Sequence, residues 1–266
     1  MSNQNMPAAF SSNQAASQAT AIEQSRAVAE VQGAIFVARQ FPRDMQRVYD
    51  EMHRLCSTPE LAARAFYKVP NRGEGPTVHL MRELARVWGN LDYGVKELSR
   101  DNRQSEVQAF AWDQEKNTRT TRSFIQPHKR SKGKSTVDLV DLNDIYLSNQ
   151  NTGARAVREC IQNVLPVDFV EKAKAICQQT LQNANGTGDQ LQSNIRDGIS
   201  AYTGLGVTQA QLEQRVGRPA AQWSAQDLAG LQVMYQSIHN RETSVADEFP
   251  NNQQSQAEQA LMGGNN

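Results

Sequence analysis

The stretch Leu91–Gln126 reads LDYGVKELSRDNRQSEVQAFAWDQEKNTRTTRSFIQ and decides the fold of this chain. Apolar and polar residues alternate in three runs within it, at about Leu91–Leu98, Glu106–Trp112 and Arg119–Gln126. Such alternation, bounded by polar turn residues, is typical of β-strands. The polar segment Gln114–Thr118 predicts a hairpin between the second and third strands. We therefore expect three consecutive strands in one sheet.

The second of these strands has two different faces. Because side chains alternate along a strand, the first face carries Val107, Ala109 and Ala111, and the second carries Gln108, Phe110 and Trp112. We expect one face of the sheet to cover flanking helices and the other to be open to a ligand.

Helical patterns precede and follow the three strands. Apolar residues at helical spacing predict a helix over Thr77–Trp88, with Gly89 as its stop. After the acidic segment Asp138–Asp144, a second helix is predicted to run to Leu165 and to end before Pro166. Its buried stripe is Ala156, Val157, Cys160, Ile161, Val164 and Leu165. The predicted fold class is α+β, with a β-β-β-α core flanked by helices.

Composition divides the chain into five segments. Residues 1–20 and 251–266 are dominated by Ser, Asn, Gln and Ala without a periodic apolar face, which predicts disordered tails. Residues 21–182 are the predicted core domain, which begins with two helices separated by a proline. Residues 183–206 are predicted to be a linker, and residues 207–250 a small helical domain. Thr208 with Gln211 forms a predicted capping box at the start of that domain.

Charge is unevenly distributed along a chain that is neutral overall, with 28 basic and 28 acidic residues. Residues 75–134 hold 12 basic and 7 acidic side chains, whereas residues 207–250 hold 3 and 5. This asymmetry is typical of a nucleic-acid-binding module with a more acidic accessory domain. The three cysteines are widely spaced and favour neither a zinc site nor a disulfide framework. No signal peptide or membrane span is predicted, so we expect a soluble intracellular protein.

The densest basic run follows the third predicted strand. Seven Lys or Arg residues and no Asp or Glu lie between Lys116 and Val137. Cations directed at a phosphate backbone give salt-dependent, sequence-independent binding. We expect a DNA-binding set of Arg119, Arg122, Lys129, Arg130, Lys132, Lys134, Arg155 and Arg158. The strand aromatics Tyr93, Phe110, Trp112 and Phe124 are candidates for base stacking, although core packing is their commoner role.

Two catalytic interpretations are weaker. The stretch Gly133-Lys134-Ser135-Thr136 resembles the end of a phosphate-binding loop, but position 128 is His where that motif requires Gly. Acidic residues that could form a magnesium-dependent nuclease site are Asp113, Glu115, Asp138, Asp141 and Asp144. Their spacing matches no nuclease pattern, and Asp141 and Asp144 suit a helix N-terminus. We expect no catalytic residue and no cofactor, with magnesium as the remaining possibility.

An ordered set of motifs resembles that of phage single-strand annealing proteins. The set is Gly-Pro-x-Val from Gly75, Trp-Gly-Asn from Trp88, Ala-Phe-Ala-Trp-Asp from Ala109, a basic strand, and Gly-Ala-Arg-Ala-Val-Arg from Gly153. In broader layout it is similar to the DNA-binding core of the eukaryotic strand-annealing mediator. The resemblance covers about a third of the chain, from Gly75 to about Leu165, and the segment Val207–Phe249 resembles a helical tail of phage recombination proteins.

This resemblance implies ATP-independent annealing of complementary strands in phage-type recombination and repair. It implies assembly into a homo-oligomeric ring or filament in the cytoplasm of an infected or prophage-carrying bacterium. DNA would lie in a groove between the sheet and the following helix, with Arg155 and Arg158 opposite the basic strand. The long loop Ser131–Asn143 departs from the more compact connection of the family. The helical tail would dock a single-strand-binding protein or an exonuclease, and its removal is expected to spare DNA binding.

Two functions from other classes stay open at this point. A metal-dependent nuclease would shorten DNA in the presence of magnesium, whereas an annealing protein would not. A non-enzymatic adaptor would use the basic run to bind an acidic protein surface and would not retain DNA at low salt.

Overall fold

The computed structural model describes residues 18–70, 73–132 and 135–250. These residues form a mixed α+β structure with small antiparallel sheets, which confirms the α+β part of the predicted fold class. The predicted tail over residues 251–266, and all but the last three residues of the predicted tail over residues 1–20, lie outside the described residues.

The described helices are α1 (Gln18–Gln40), α2 (Met45–Cys56), α3 (Pro59–Ala62), α4 (Val78–Trp88), α5 (Leu142–Val164), α6 (Val167–Ala184), α7 (Gly188–Thr203), α8 (Gln209–Val216), α9 (Ala225–His239) and α10 (Val245–Glu248). The described strands are β1 (Phe66–Val69), β2 (Gly73–Pro76), β3 (Leu91–Arg100), β4 (Gln104–Asp113), β5 (Thr118–Pro127), β6 (Lys129–Lys132) and β7 (Ser135–Asp138). None of the described helices is both long enough and apolar enough to cross a membrane.

Packing groups the chain into two units, residues 1–42 and residues 43–266. The described part of the first unit is α1 with the two residues after it. This helix leaves several large apolar side chains exposed, namely Ile22, Val28, Val31, Phe36 and Val37. It ends at Gln40, two residues before Pro42, where the sequence predicted a break.

The central sheet of the second unit has the strand order β3-β4-β5 and is antiparallel throughout. Its three strands extend one to two residues beyond most of their predicted ends, so the three-strand prediction is confirmed. The turn Gln114–Asn117 joins β4 to β5, and Asn117 adopts a positive φ of 54°. Trp112 stabilises this turn because its indole Nε1 donates to Asn117 Oδ1 at 3.1 Å.

Helix α5 packs across one face of this sheet. Val107, Ala109 and Ala111 of β4 lie beneath it and are fully buried, which confirms their predicted face. Gly153 allows the close approach, because a Cβ atom there would lie 2.7 Å from Cγ2 of Val95 on β3. The Sγ atom of Cys160 lies 3.7 Å from the carbonyl oxygen of Ala109. The backbone of α5 therefore lies close to the strands of the sheet.

The caps of the two helices beside the sheet follow from their sequences. The side chain of Thr77 caps α4 by accepting from Leu80 N, and Gly89 ends the helix with a φ of 69°. Asp141 caps α5, since its carboxylate accepts from the backbone N–H groups of Asn143 and Asp144. Both helices therefore begin where a polar side chain satisfies their first N–H groups.

The main hydrophobic core joins elements from widely separated parts of the chain. Met52, Trp88, Ile161 and Phe169 contribute large buried side chains from α2, α4, α5 and α6. Ala229 of α9 belongs to the same core, and α9 packs on both β1 and α6. The C-terminal segment is therefore built onto the core domain.

A second core corrects the predicted linker over residues 183–206. Most of that segment is helix α7, whose side chains Ile195 and Tyr202 are buried with Leu212 and Leu228 of the C-terminal helices. The predicted domain boundary at Val207 consequently falls inside a core. The apolar residues Leu191, Ile195, Ile199 and Tyr202 follow helical spacing, but the polar residues between them weaken the periodic signal.

Candidate nucleic-acid interface

The register of β5 places its two predicted DNA-binding arginines, Arg119 and Arg122, on opposite faces of the sheet. Arg122 pairs with Ala109, and its side chain therefore lies on the α5 side. Arg119 pairs with Trp112, on the other side. Arg122 lies three positions beyond Arg119, and an odd number of positions along a regular strand gives opposite faces.

Glu159 of α5 connects the strand to the helix. Its carboxylate lies 3.1 Å from Nε of Arg122 and 3.9 Å from Nη2 of Arg158. The structure thus brings together one cation of the edge strand and one of the helix at the border of their packed contact. The side chains of Arg122 and Glu159 are nearly half exposed, so this bridge is open to solvent and to charged ligands.

Arg158 also rests on an aromatic ring. Its guanidinium lies 4.6 Å from the ring centroid of Tyr67 on β1. Tyr67 pairs with Gly75 of β2, and a Cβ atom at Gly75 would lie 2.9 Å from the Tyr67 hydroxyl oxygen. A glycine at position 75 therefore leaves the space that this ring fills, and the ring in turn supports Arg158.

Arg155 and Arg158 share their surroundings with a carboxylate of the C-terminal region. Burial raises the pKa of the Glu242 carboxyl, while the Ser237 hydroxyl and the positive charges of Arg158 and Arg155 act to lower it. The exposed side chain of His79 on α4 also acts to lower the pKa of Glu242. The positive charges of the α5 arginines thus favour the ionised form of a carboxyl group in the turn after α9.

The opposite face of the sheet holds a separate group of cations and aromatic rings. Phe110 of β4 is only 6% exposed. The amino group of Lys96 lies 4.9 Å from its centroid and the guanidinium of Arg119 lies 5.6 Å from it. Trp112 on the same face is also buried. Phe110 and Trp112 are thus covered by protein, whereas Tyr93 and Phe124 lie on the α5 face and are half-buried.

Three of the remaining predicted cations, Lys129, Arg130 and Lys132, belong to a hairpin. Strands β6 and β7 pair from Lys129 with Asp138 to Lys132 with Ser135, which corrects the predicted long loop Ser131–Asn143. Lys129 Nζ lies 3.8 Å from an Asp138 oxygen, and Arg130 is exposed. The backbone of Lys132 lies in β6, whereas Lys134 and Gly133 of the phosphate-loop-like stretch lie outside the described residues.

The acidic residues weighed as a nuclease site have structural partners. Asp113 accepts from Arg43 at 2.8 Å and from Trp88 Nε1 at 3.0 Å, and Glu115 accepts from the backbone N–H of Arg43. Asp141 caps α5. Within the described ranges, no group of three or more His, Cys, Asp or Glu side chains is arranged to hold a metal ion.

Three residues of this interface escaped the sequence analysis. Tyr67 belongs to a four-residue strand, which is too short to give a clear alternating pattern. Glu159 follows Arg158 directly, but its bridge to β5 depends on how the helix crosses the sheet. Glu242 lies more than eighty residues beyond Arg158, and no local pattern connects the two.

Comparison of the chain with models of known protein families, with curated proteins and with solved structures found no match.

Proposed function

We propose that this protein binds single-stranded DNA and anneals complementary strands without nucleotide hydrolysis. The observation that supports this function best is the cationic surface along α5. Arg155 and Arg158 lie on the helix, and Arg122 reaches the same surface from the edge strand β5 through their shared neighbour Glu159. Clustered cations beside a sheet edge suit a continuous phosphate backbone better than a compact ligand.

Phosphate contacts alone would leave the bases free to pair. The cations on this surface can hold a strand by its backbone, and the rings of Tyr67, Phe110 and Trp112 are already occupied by Arg158 or by protein packing. Binding would therefore be independent of sequence and would weaken steeply with salt. Such binding leaves the hydrogen-bonding edges of the bases available to a complementary strand.

The surroundings of Asp113 and Glu115 favour annealing over nucleolytic cleavage. Arg43 neutralises the Asp113 carboxylate in a buried ion pair, and its backbone N–H binds Glu115. A carboxylate engaged in this way is a poor ligand for a metal ion. We expect labelled DNA to keep its length when it is incubated with the protein and magnesium.

Assembly and partners belong to the same proposal. The protein would form a homo-oligomeric ring or filament on DNA and act in phage-type recombination in the bacterial cytoplasm. Residues 207–250, with their net negative charge, would dock a single-strand-binding protein or an exonuclease. Electron microscopy with and without single-stranded DNA tests the assembly, and rings or filaments are the expected result.

The decisive test of DNA binding is the pair Arg155→Ala and Arg158→Ala in one chain. We expect affinity for single-stranded DNA to fall about tenfold, because two phosphate contacts are removed. The slope of log K against log salt should decrease by about 1.4, since each contact to a single strand contributes about 0.7. Fluorescence anisotropy of a labelled oligothymidylate over a salt series measures both quantities.

A matched control is the double variant Arg47→Ala with Arg54→Ala, which removes the same charge from exposed positions of α2. Its binding and salt slope should stay close to those of the wild-type protein. Equal loss in the two double variants would show that only net charge matters. Unchanged binding in the α5 variant would refute the proposed interface.

A further inference from the structure

A cavity of about 720 Å³ lies where the turn between β3 and β4 meets the β6–β7 hairpin and the start of α5. Sites that bind small molecules usually measure about 300–1,000 Å³. The described lining includes three Lys or Arg side chains and four aliphatic ones. Arg122, Arg155 and Arg158 are not among these lining residues, so the cavity is separate from the cationic surface along α5.

The backbone of His128 joins two walls of this cavity. Its N–H group donates to the carbonyl oxygen of Arg103 at 2.7 Å, and its carbonyl oxygen accepts from the N–H group of Leu139 at 2.8 Å. The ring of His128 is buried, and its Nε2 atom lies 2.9 Å from the hydroxyl oxygen of Ser105. Asp101 tightens the turn between β3 and β4, because its carboxylate accepts from the backbone N–H of Arg103 at 2.6 Å. The cavity is therefore formed before any ligand binds, which lowers the cost of binding.

Two of the three cations in the lining are available to an anion. The side chain of Arg103 is exposed and forms no ion pair or hydrogen bond within the described residues. Lys129 Nζ lies 3.8 Å from an Asp138 oxygen, and because both side chains are more than half exposed, this ion pair is weak and can be exchanged. Arg100, in contrast, pairs with Glu97 at 3.2 Å. Arg103 and Lys129 are therefore the candidates for binding a phosphate.

The aliphatic part of the lining is strongly exposed. Val140 is 86% exposed and Leu142 is 65% exposed, whereas Leu139 and Ile145 beside them are buried. Neighbouring exposed apolar side chains are typical of binding surfaces. The N-terminus of α5 is not open to an anion, because Asp141 caps it. The cavity thus suits a ligand with an apolar part and a negative charge, and a nucleotide offers a base and a phosphate.

We propose that this cavity binds one nucleotide of a single-stranded DNA, with the phosphate on Arg103 and Lys129 and the base against Val140 and Leu142. This inference rests on the proposed function, because it assigns a second contact to the same ligand. Each chain holds one base in this way, and the bases beside the α5 surface remain available for pairing.

Val140→Ser tests the base contact, with an abasic strand as the reference because it keeps the phosphates and lacks the bases. We expect the wild-type protein to bind a fluorescein-labelled oligothymidylate about threefold or more tighter than an abasic strand of equal length, since the base covers apolar surface. Val140→Ser should reduce this preference and leave the affinity for the abasic strand unchanged. The matched control is Val167→Ser, because Val167 of α6 is 76% exposed and lies outside the described lining. This control should keep the wild-type preference.

Arg103→Ala tests the phosphate contact. We expect its affinity for both strands to fall about threefold, and the slope of log K against log salt to decrease by about 0.7, because one phosphate contact is lost. Arg54→Ala removes the same charge from an exposed position of α2 and should leave both quantities close to those of the wild-type protein. Fluorescence anisotropy of the full-length chain over a salt series measures them, and circular dichroism checks the folding of each variant.

Free nucleotides are the other source of the same chemical groups. Micromolar dTMP should leave the preference for oligothymidylate intact, because a strand held elsewhere on the protein presents its nucleotide at a high effective concentration. Loss of the preference at that concentration would assign the cavity to free nucleotides and overturn the DNA contact.

The outcomes separate this inference from the proposed function. A reduced preference in Val140→Ser and weaker binding by Arg103→Ala, with both controls unchanged, support the nucleotide cavity. Equal affinity of the wild-type protein for the two strands, an intact preference in Val140→Ser, or unchanged binding by Arg103→Ala overturns it. The proposed function then still stands if binding depends on Arg155 and Arg158. Absence of binding to either strand at low salt overturns both.

Discussion

Arg43 and Asp113 form the most buried ion pair in the described part of the chain. Their side chains are 4% and 1% exposed, and the Arg43 guanidinium also donates to the carbonyl oxygens of Trp88 and Gly89. The same guanidinium lies 4.7 Å from the centroid of the Trp88 ring. One arginine therefore connects the start of α2, the end of α4 and the β4–β5 turn, and it fixes the sheet against the core.

Asp113→Asn should reveal the strength of this connection. The substitution leaves the buried Arg43 with Glu115, at 3.5 Å, as its remaining carboxylate. Breaking a buried ion pair costs about 3–5 kcal/mol. Urea denaturation at neutral pH measures the change in the free energy of unfolding. Glu51→Gln, which breaks the exposed pair with Arg47, is the control and should change that free energy far less. Equal effects of the two substitutions would contradict the structural role of Asp113.

The effect of Asp113→Asn on the free energy of unfolding should also depend on pH. Burial raises the pKa of Asp113, but hydrogen bonds from Arg43, Trp88 and Lys116 outweigh it and hold the pKa below its ordinary value. A carboxyl group with a lowered pKa stabilises the fold above its unfolded pKa of about 3.9, and the stabilisation is lost as the pH falls through the folded pKa. The difference between wild type and Asp113→Asn should therefore shrink below about pH 4. A constant difference down to pH 2 would contradict this assignment.

At the level of elements, the contact between α5 and β3 depends on the missing side chain of Gly153. A methyl group there would overlap Val95, whose Cγ atoms lie 2.7 and 2.9 Å from the Cβ position. Alanine improves helix propensity by about 1 kcal/mol. Overpacking in a close helix–sheet contact costs about 1–3 kcal/mol. Because Val95 is held by the sheet, we expect the overpacking to prevail.

Gly153→Ala should consequently lower the free energy of unfolding by up to about 2 kcal/mol, the difference between these two effects. Val95→Ala makes room for the new methyl group. In the double variant Gly153→Ala is therefore expected to be neutral or stabilising relative to Val95→Ala alone. The measurement is a double-variant cycle by urea denaturation. Additive effects of the two substitutions would show that the two side chains do not meet.

The elements themselves were largely predictable from the sequence. Alternation identified β3, β4 and β5, and the capping residues Thr77 and Thr208 marked the starts of α4 and α8 because these signals are local. The hairpin of β6 and β7 was missed because its strands are only four residues long and strongly polar. Helix α7 was missed because polar residues dilute its apolar stripe.

The candidate site was less predictable than the elements. The basic residues of α5 and β5 can be read from the sequence, but their neighbours depend on contacts between distant segments. Tyr67, whose ring lies against Arg158, is about ninety residues earlier in the sequence, and Glu242 is more than eighty residues later. Residue types at a surface can thus be predicted locally, whereas their electrostatic partners are determined by tertiary packing.

At the scale of the whole second unit, the C-terminal segment is joined to the core domain by apolar and polar contacts. Ala229 is part of the main core, and Val233 packs against it. Asn185, which follows α6, donates to Gln232 and to the carbonyl oxygen of Ala225. The sequence-based expectation that this segment can be removed without consequence for DNA binding does not fit these contacts.

Deletion of residues 207–266 should therefore destabilise the chain that is left. It exposes part of the main core and leaves Ile195 and Tyr202 of α7 without most of their partners. We expect a lower thermal midpoint and a broader transition, measured by circular dichroism, and weaker DNA binding as a result of partial unfolding. A truncated chain that melts like the full-length protein would instead establish residues 43–206 as an independent domain.

The opposite orientation of Arg119 and Arg122 has a consequence for the β4–β5 turn. If the turn keeps its four-residue form, inserting or removing one residue within Gln114–Asn117 shifts the pairing of β5 by one position, and such a shift moves every side chain to the other face. Phe124 and Arg122 would then leave the side of α5, and Arg119 would turn toward it. Changes of two residues preserve the faces. The turn can therefore evolve in length only by even steps if the α5 surface is to keep its strand arginine.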